Sequence, residues 1–164
     1  MEVYLIRHGI AVERLPDTKD EQRELTAQGR DKTYKVAKRL QELGLQFDLI
    51  LTSPYVRSRQ TAEILHTCRL SSQIESSGYL APQGNIQDWL NELELHSMQA
   101  TDTVLAMVGH QPDLGEWASI LVWGEARNVL VVKKAGIIGL KLPLTGSPVG
   151  CSQLFWLTPP KFLL

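Results

Sequence analysis

The residues best suited to chemistry stand directly after a short apolar run near the start of the chain. Val3–Arg7 predicts a buried strand, and it leads into His8 and Gly9. Arginine offers a planar fork of N–H donors that matches the oxygens of a phosphate. A neutral histidine is a nucleophile, and an arginine beside it disfavours its protonation. The pattern predicts an anion site that contains a nucleophile, in which Gly9 lets a substrate approach closely.

Two later apolar runs end in residues of the same kind. Phe47–Thr52 predicts a strand that leads into Ser53-Pro54 and then into Arg57, in the first turn of a helix. Thr103–Val108 predicts another buried strand, which is followed by a glycine and His110. The carboxyl ends of parallel strands share one edge of a sheet, and ligands bind there. The second arginine and histidine are therefore expected to join the first pair in one phosphate pocket.

Each of these patterns has an ordinary structural explanation when it is taken alone. A histidine at a strand end is commonly structural, and Ser-Pro begins many helices. Arg59, which lies close to the second arginine, is expected to be a solvated helix residue. Only the occurrence of all three patterns at predicted strand ends favours a functional site.

The remaining sequence alternates between strand and helix patterns around these ends. Helices are predicted over Thr26–Leu43, Val56–His66, Ile86–His96 and from Pro112 to about Val122. Further strands are predicted over Gln73–Ser76, Val129–Lys133, Gly136–Leu142 and Gln153–Leu157, and Ile10–Glu24 is predicted to be a polar loop. This order predicts an α/β three-layer sandwich: a mostly parallel central sheet, helices on both faces and antiparallel strands near the C-terminus.

Composition narrows the classes of protein to which the chain can belong. A length of 164 residues, 43% of them hydrophobic, predicts a single domain over residues 1–164. The net charge of −1 gives no general attraction to nucleic acid or to membranes, and neither is expected as a partner. No run is long enough for a signal peptide or a bilayer span. Neither the two cysteines nor the four histidines have metal-ligand spacing, so we expect no bound metal. The two cysteines do not suggest a disulfide framework, so we expect a cytoplasmic protein.

Several motifs, in order along most of the chain, resemble those of the histidine phosphatase superfamily, in the branch that includes the cofactor-dependent phosphoglycerate mutases. They are Arg7-His8-Gly9, Leu25-Thr26-Ala27-Gln28-Gly29, Ser53-Pro54-Tyr55-Val56-Arg57 continued by Gln60-Thr61-Ala62, and Gly109-His110. Within the superfamily, the small size of the chain, Ala11 and the lack of a large insertion resemble the SixA-type protein phosphohistidine phosphatases.

The resemblance implies a role for each matched residue. His8 would be the nucleophile, and Arg7 and Arg57 would hold the phosphate. His110 would donate a hydrogen bond to that phosphate and is the second residue implied to be catalytic. The resemblance implies no cofactor.

One departure from the superfamily bears on the substrate. Many members carry a glutamate acid after the third strand, whereas the corresponding segment here, Tyr79–Asn85, contains no carboxylate. An alkoxide leaving group needs a proton from an acid, and a phosphorylated imidazole needs one less because the ring can leave neutral. The absence favours cleavage of P–N over P–O bonds, although Asp88 and Glu13 remain candidate acids.

The leading expectation is therefore a phosphatase that acts on a phosphorylated, histidine-containing phosphotransfer protein. The alternative is a phosphomonoesterase of small molecules or of broad specificity that uses the same nucleophile. A mutase is disfavoured because an alcohol would have to be rephosphorylated without an acid. A module that only binds phosphorylated ligands would need the arginines but not two histidines, and an oligomer contact would not need the motifs in order.

Overall fold

The structure, a computed structural model, describes residues 1–95 and 102–164. The strands are β1 (Glu2–Arg7), β2 (Leu49–Thr52), β3 (Ile74–Ser76), β4 (Val104–Gly109), β5 (Ile137–Lys141) and β6 (Gln153–Thr158). The α-helices are α1 (Ala27–Glu42), α2 (Val56–Thr67), α3 (Ile86–Leu95) and α4 (Asp113–Trp123), and short 3-10 turns cover 20–22, 78–80 and 160–162. Within the described ranges, no helix is long and apolar enough to cross a membrane.

The strands form one mixed sheet in the order β3-β2-β4-β1-β5-β6. β1, β2, β3 and β4 run parallel, β5 pairs antiparallel with β1, and β6 pairs antiparallel with β5. The carboxyl ends of β1, β2 and β4 therefore lie together at one edge of the sheet. This arrangement confirms the predicted α/β fold, with its parallel centre and its antiparallel strands near the C-terminus.

Helices cover both faces of the sheet because alternate strand residues are apolar on both sides. Val3 and Leu5 of β1 pack in one buried cluster with residues of α3 and α4. Tyr4 and Ile6, which point the other way, pack in a second cluster with residues of α1 and α2. The alternation explains why β1 reads as a continuous apolar run in the sequence. The predicted three-layer sandwich is thus confirmed.

The prediction of a strand over Val129–Lys133 is wrong. This segment is an irregular connection between α4 and β5, and side chains rather than a neighbouring strand bind its backbone. The Gln111 amide donates to the carbonyl of Leu130 at 3.1 Å and accepts from the N–H of Val132 at 3.2 Å. The β-branched residues that favour a strand are present, but Val132 is bound by the side chains of Gln111 and Arg7 rather than by a neighbouring strand. The predicted end of α3 at His96 lies outside the described residues.

Helix α1 is pressed against the segment that follows the first histidine. The Thr26 hydroxyl caps the helix by accepting the N–H of Gly29 at 2.9 Å, and the Thr26 N–H donates to the carbonyl of Ile10 at 2.9 Å. A Cβ atom on Gly29 would overlap the backbone carbonyl of Ile10. Glycine in the first turn of α1 is therefore required by close packing against the strand end rather than by helix propensity.

We expect Gly29→Ala to lower the free energy of unfolding by about 1–3 kcal/mol, because overpacking outweighs the gain in helix propensity. Urea denaturation of the variant and of the wild type measures this difference. Gly78→Ala is the matched control, since a Cβ at that exposed position meets nothing within 4 Å. A Gly29→Ala variant at least as stable as the wild type would show that Ile10 can move away.

Candidate active site

The two histidines of the motifs meet because β1 and β4 are paired in parallel. Arg7 stands opposite Gly109 in the register, and the N–H of His8 donates to the carbonyl of Gly109 at 3.1 Å. His8 and His110 follow these positions, and their ring centroids lie 5.1 Å apart. Both side chains are buried, with 6% and 4% of their surface exposed. The pairing register alone therefore places two imidazoles side by side.

The hydrogen bonds of His8 define which nitrogen is available for chemistry. Nδ1 lies 2.7 Å from the carbonyl oxygen of Gly9, which can only accept, so Nδ1 carries the proton in the neutral ring. Nε2 then holds a lone pair, and Nε of Arg57 donates to it at 3.3 Å. The lone pair of His8 is therefore on Nε2 and points at Arg57.

Arg57 lies in the first turn of α2, and its guanidinium reaches both histidines. Besides the contact of Nε with His8, Nη2 lies 3.4 Å from Nδ1 of His110. The guanidinium carbon also stands 4.9 Å from the centre of the Tyr55 ring. Arg57 is 4% exposed, whereas Arg59 on the same helix is exposed, as predicted for a solvated residue.

Arg7 contributes a second cation with an unused donor. Its Nη1 donates to the carbonyl of Val132 at 2.9 Å, while its buried Nε has no hydrogen-bond partner among the described residues. Burial, followed by the charge of Arg57, lowers the pKa of Arg7 from its ordinary value. A buried N–H without a partner is costly, and an anion between the arginines would satisfy it.

Both histidines are kept neutral by their surroundings. Burial, with the nearby charges of His110, Arg57 and Arg7, lowers the pKa of His8 to about 3 despite the opposing hydrogen bond to Gly9. Burial, followed by the charge of Arg57, lowers the pKa of His110 to about 3 as well. A histidine protonated at neutral pH would have no lone pair for attack, so this shift gives His8 the form that a nucleophile requires.

His110 can adopt either neutral tautomer because hydroxyl groups face one of its nitrogens. Its Nε2 lies 2.8 Å from Oγ of Ser53 and 3.4 Å from Oγ of Ser58. A hydroxyl can donate or accept, so two tautomers are open. In one, Nε2 donates to Ser53 and Nδ1 accepts from Nη2 of Arg57. In the other, Nε2 accepts from Ser53 and Nδ1 carries the proton once it no longer accepts from Arg57. In that tautomer His110 is able to donate a hydrogen bond to an oxyanion, the role that the motifs implied.

The reason for Gly9 differs from the sequence prediction. A Cβ atom at Gly9 would overlap Oγ1 of Thr33 on α1, so the missing side chain makes room for the helix rather than for a substrate. The N–H of Gly9 donates to Oγ1 of Thr61 at 3.0 Å, and Thr61 in turn donates to the carbonyl of Arg57 at 2.8 Å. These contacts connect the backbone after His8 to the helix that carries Arg57.

Asp20 is a site residue that the sequence did not predict. Its carboxylate lies 2.9 Å from Nη2 of Arg57 and 2.8 Å from Nη1 of Arg23. Burial acts to raise the pKa of Asp20, but the hydrogen bonds from Arg23 and Arg57 outweigh it and hold that pKa below its usual value. The sequence offered no signal, because one carboxylate in a polar loop has no periodicity and no fixed distance to a strand end.

The candidate acids that the sequence left open are exposed. Glu13 lies in the loop after β1 and Asp88 lies in the first turn of α3, and both side chains face solvent. Asp113, at the start of α4, accepts the N–H of Gln83 at 3.0 Å and so reaches the Tyr79–Asn85 segment. Burial, and to a smaller extent Glu116, raises the pKa of Asp113 against the opposing hydrogen bond from Gln83.

The chain is similar to known proteins in sequence and in fold. The model of the histidine phosphatase superfamily (branch 1) matches residues 3–77. The chain is 47% identical over its full length to an uncharacterized protein of Picosynechococcus sp., of which it covers 99%. It is 30% identical to the phosphohistidine phosphatase SixA of Escherichia coli (strain K12), over 76% of each chain. A solved structure of the protein histidine phosphatase SixA complexed with tungstate is similar, with a TM-score of 0.85, 25% identity and 100% of both chains covered.

The lowered pKa values of the two histidines predict a loss of stability in acid. Between about pH 6.5, where an unfolded histidine titrates, and about pH 3, the unfolded chain binds more protons, so stability falls as the pH falls. Each histidine should remove about 2 kcal/mol from the free energy of unfolding between pH 7.5 and pH 5. We expect His8→Asn to reduce that fall by about 2 kcal/mol, as measured by urea denaturation at both pH values.

His66→Asn is the control for this measurement, because the side chain of His66 is exposed on α2. The change caused by His8→Asn is compared with the change caused by this control. If His8→Asn left the difference between the two pH values unchanged, His8 would not be held neutral by folding.

Proposed function

Since the chain belongs to the histidine phosphatase superfamily (branch 1), we propose that it removes phosphate from phosphohistidine on a cytoplasmic phosphotransfer protein. The observation that carries this proposal is the neutral His8, whose Nε2 lone pair faces Arg57 in a site whose contacting carboxylate, Asp20, is ionised. The likeness to the phosphohistidine phosphatase SixA of Escherichia coli supports it.

In the first step, Nε2 of His8 attacks phosphorus as the bond from phosphorus to the substrate imidazole breaks. Arg57, which contacts both histidines, and Arg7, whose Nε has no partner among the described residues, offset the negative charge of the transferring group together with His110. The phosphate passes to His8, and Nδ1 of His8 keeps its proton on the carbonyl of Gly9. The bond pair goes to the departing imidazole, which leaves neutral when its other nitrogen already carries a proton.

In the second step, water attacks the phosphorus on His8, and the P–N bond breaks with its electron pair returning to Nε2, so that His8 is neutral again. The protons of the water leave on the inorganic phosphate or pass to solvent. Holding the phosphoryl group between two arginines supplies most of the catalysis in both steps, because little proton transfer is needed on the enzyme side. The same donors serve both steps, since the phosphoryl oxygens stay in one place while the attacking and leaving atoms change.

The state of Asp20 favours the P–N substrate. An ester leaves as an alkoxide and needs a proton from a general acid. Asp20 is a carboxyl that contacts Arg57, and its lowered pKa leaves it without a proton to donate at neutral pH. A phosphohistidine substrate makes no such demand, because its leaving group can be protonated by solvent before the bond breaks.

A second candidate function, the hydrolysis of small phosphate esters, is favoured by one observation. Asp113 has a raised pKa and binds Gln83 in the segment where other superfamily members carry their glutamate acid. If Asp113 were a general acid, Asp113→Asn would slow ester hydrolysis strongly and leave phosphohistidine hydrolysis nearly unchanged.

The first experiment compares phosphate release from a phosphohistidine-carrying phosphotransfer domain and from an aryl phosphate. We expect faster release from phosphohistidine, abolished in His8→Ala and retained in the control His66→Ala. A 32P label should remain on the denatured wild type and not on His8→Ala, which distinguishes an enzyme from a module that only binds. Faster release from the aryl phosphate, with sensitivity to Asp113→Asn, would favour the esterase instead.

The second experiment tests the phosphate contact of Arg57. Arg57→Ala removes a charge-assisted contact of about 1.5–3 kcal/mol, so kcat/KM should fall roughly 10- to 150-fold. Arg59→Ala is the matched control, since it removes an exposed arginine two positions along the same helix. Unchanged steady-state kinetics for Arg57→Ala would show that the arginine does not touch the phosphate.

A further inference from the structure

Arg57 presents two edges of its guanidinium to different partners. Its Nη1 and Nη2 face Asp20, where Nη1 donates to the backbone carbonyl at 2.7 Å and Nη2 donates to Oδ2 at 2.9 Å. Its Nε and Nη2 face the two histidines, with Nε 3.3 Å from His8 and Nη2 3.4 Å from His110. A guanidinium can bind two partners side by side in this way, because each edge has its own pair of N–H groups.

Asp20 is itself fixed in the loop that covers this edge of the sheet. Its Oδ1 accepts from Nη1 of Arg23 at 2.8 Å, and Nε of Arg23 donates to the carbonyl of Val12 at 2.8 Å. The loop is closed at its base by a bridge between Ala11 and Leu25. Each oxygen of the Asp20 carboxylate thus has its own arginine, and the loop backbone is tied at both ends.

From these contacts we propose that Asp20 is a positioning residue for phosphate. It binds one edge of the Arg57 guanidinium and keeps the other edge turned toward the phosphoryl group between His8 and His110. The proposal rests on the proposed phosphate chemistry but not on whether the substrate is phosphohistidine or an ester. It also gives the loop a function, because Asp20 connects the loop to the arginine that binds the substrate.

The competing possibility is that Asp20 occupies the place of the phosphate and must leave when the substrate binds. The two roles predict opposite signs for the effect of removing the charge. A carboxylate that only competes with phosphate, or repels it, weakens phosphate binding, so its loss strengthens binding. A carboxylate that orients Arg57 strengthens phosphate binding, so its loss weakens binding even though a negative charge has been removed.

The experiment measures the affinity of the full chain for inorganic phosphate by titration calorimetry. Asp20→Asn should weaken binding by about tenfold, as expected for the loss of a charge-assisted hydrogen bond. Asp17→Asn is the matched control, because it removes an exposed carboxylate from the same loop, and it should leave the affinity unchanged within about twofold. Since inorganic phosphate is the probe, the result is the same whichever organic substrate is turned over.

Phosphate binding measured in a variant of Arg57 shows whether Asp20 acts through Arg57. In Arg57→Ala there is no guanidinium to position, so adding Asp20→Asn should leave phosphate binding unchanged or strengthen it. Arg57→Lys, which keeps a cation but lacks the planar fork, replaces this background if alanine abolishes measurable binding. A purely structural role would instead weaken binding equally in both backgrounds and lower the urea midpoint of Asp20→Asn.

Phosphate affinities of Asp20→Asn in the wild-type and Arg57-variant backgrounds distinguish the positioning role from the other two roles. Weaker binding in the wild-type background together with no weakening in the Arg57 variant supports the positioning role. Stronger or unchanged binding in the wild-type background overturns it, as does equal weakening in both backgrounds. The proposed function is tested separately by the substrate comparison, and either proposal can fail while the other holds.

Discussion

The parallel pairing of β1 with β4 is the interaction on which the site depends. Each strand ends in a histidine, and the register that places Arg7 opposite Gly109 brings the two rings to a centroid distance of 5.1 Å. A slip by one residue would turn one of the histidines to the other face of the sheet, because side chains alternate along a strand. The register is protected from such a slip by apolar residues buried on both faces of β1 and β4.

Helix α2 supplies Arg57 to the site, and helices α1 and α2 hold the backbone beside His8. Helix α2 carries Arg57 toward both rings, and Thr61 on the same helix receives the N–H of Gly9. Helix α1 approaches so closely that Gly9 and Gly29 have no room for a side chain. The position of the nucleophile is thereby over-determined, because the backbone on both sides of His8 is packed or hydrogen-bonded. Such rigidity is what catalysis by positioning requires.

The site has an excess of positive charge that a phosphate would neutralise. Two arginines are placed beside histidines that burial keeps neutral, and the Nε of Arg7 has no partner among the described residues. Asp20 neutralises part of this positive charge from the outer edge of Arg57. The edge of Arg57 that Asp20 leaves free faces His8 and His110, where it would be available to the oxygens of the proposed phosphoryl group. Burial therefore keeps both histidines neutral and leaves Nε of Arg7 without a partner among the described residues.

The sequence by itself determined the residues that follow the strands and the order of the elements. Apolar runs that end in Arg7-His8 and in Gly109-His110 mark strand ends, and the alternation of strands and helices predicts a parallel sheet whose ends meet. These patterns are local, so His8, Arg7, Arg57 and His110 could be proposed as site residues and the fold class could be inferred. The same locality explains the error at 129–133, where β-branched residues favour a strand but Gln111 binds the backbone.

Only the tertiary structure decided the contacts between segments that are distant in sequence. The partnership of Asp20 with Arg57 spans 37 positions, and nothing in the loop sequence distinguishes Asp20 from its neighbouring carboxylates. The reason for Gly9 was likewise hidden, because the atom that excludes a side chain there belongs to Thr33 on α1. The neutral state of the histidines depends on burial and on the approach of two arginines, both of which are properties of the assembled fold. A sequence specifies which groups are available, whereas distance and desolvation, which set their charge and their partners, exist only after the chain has folded.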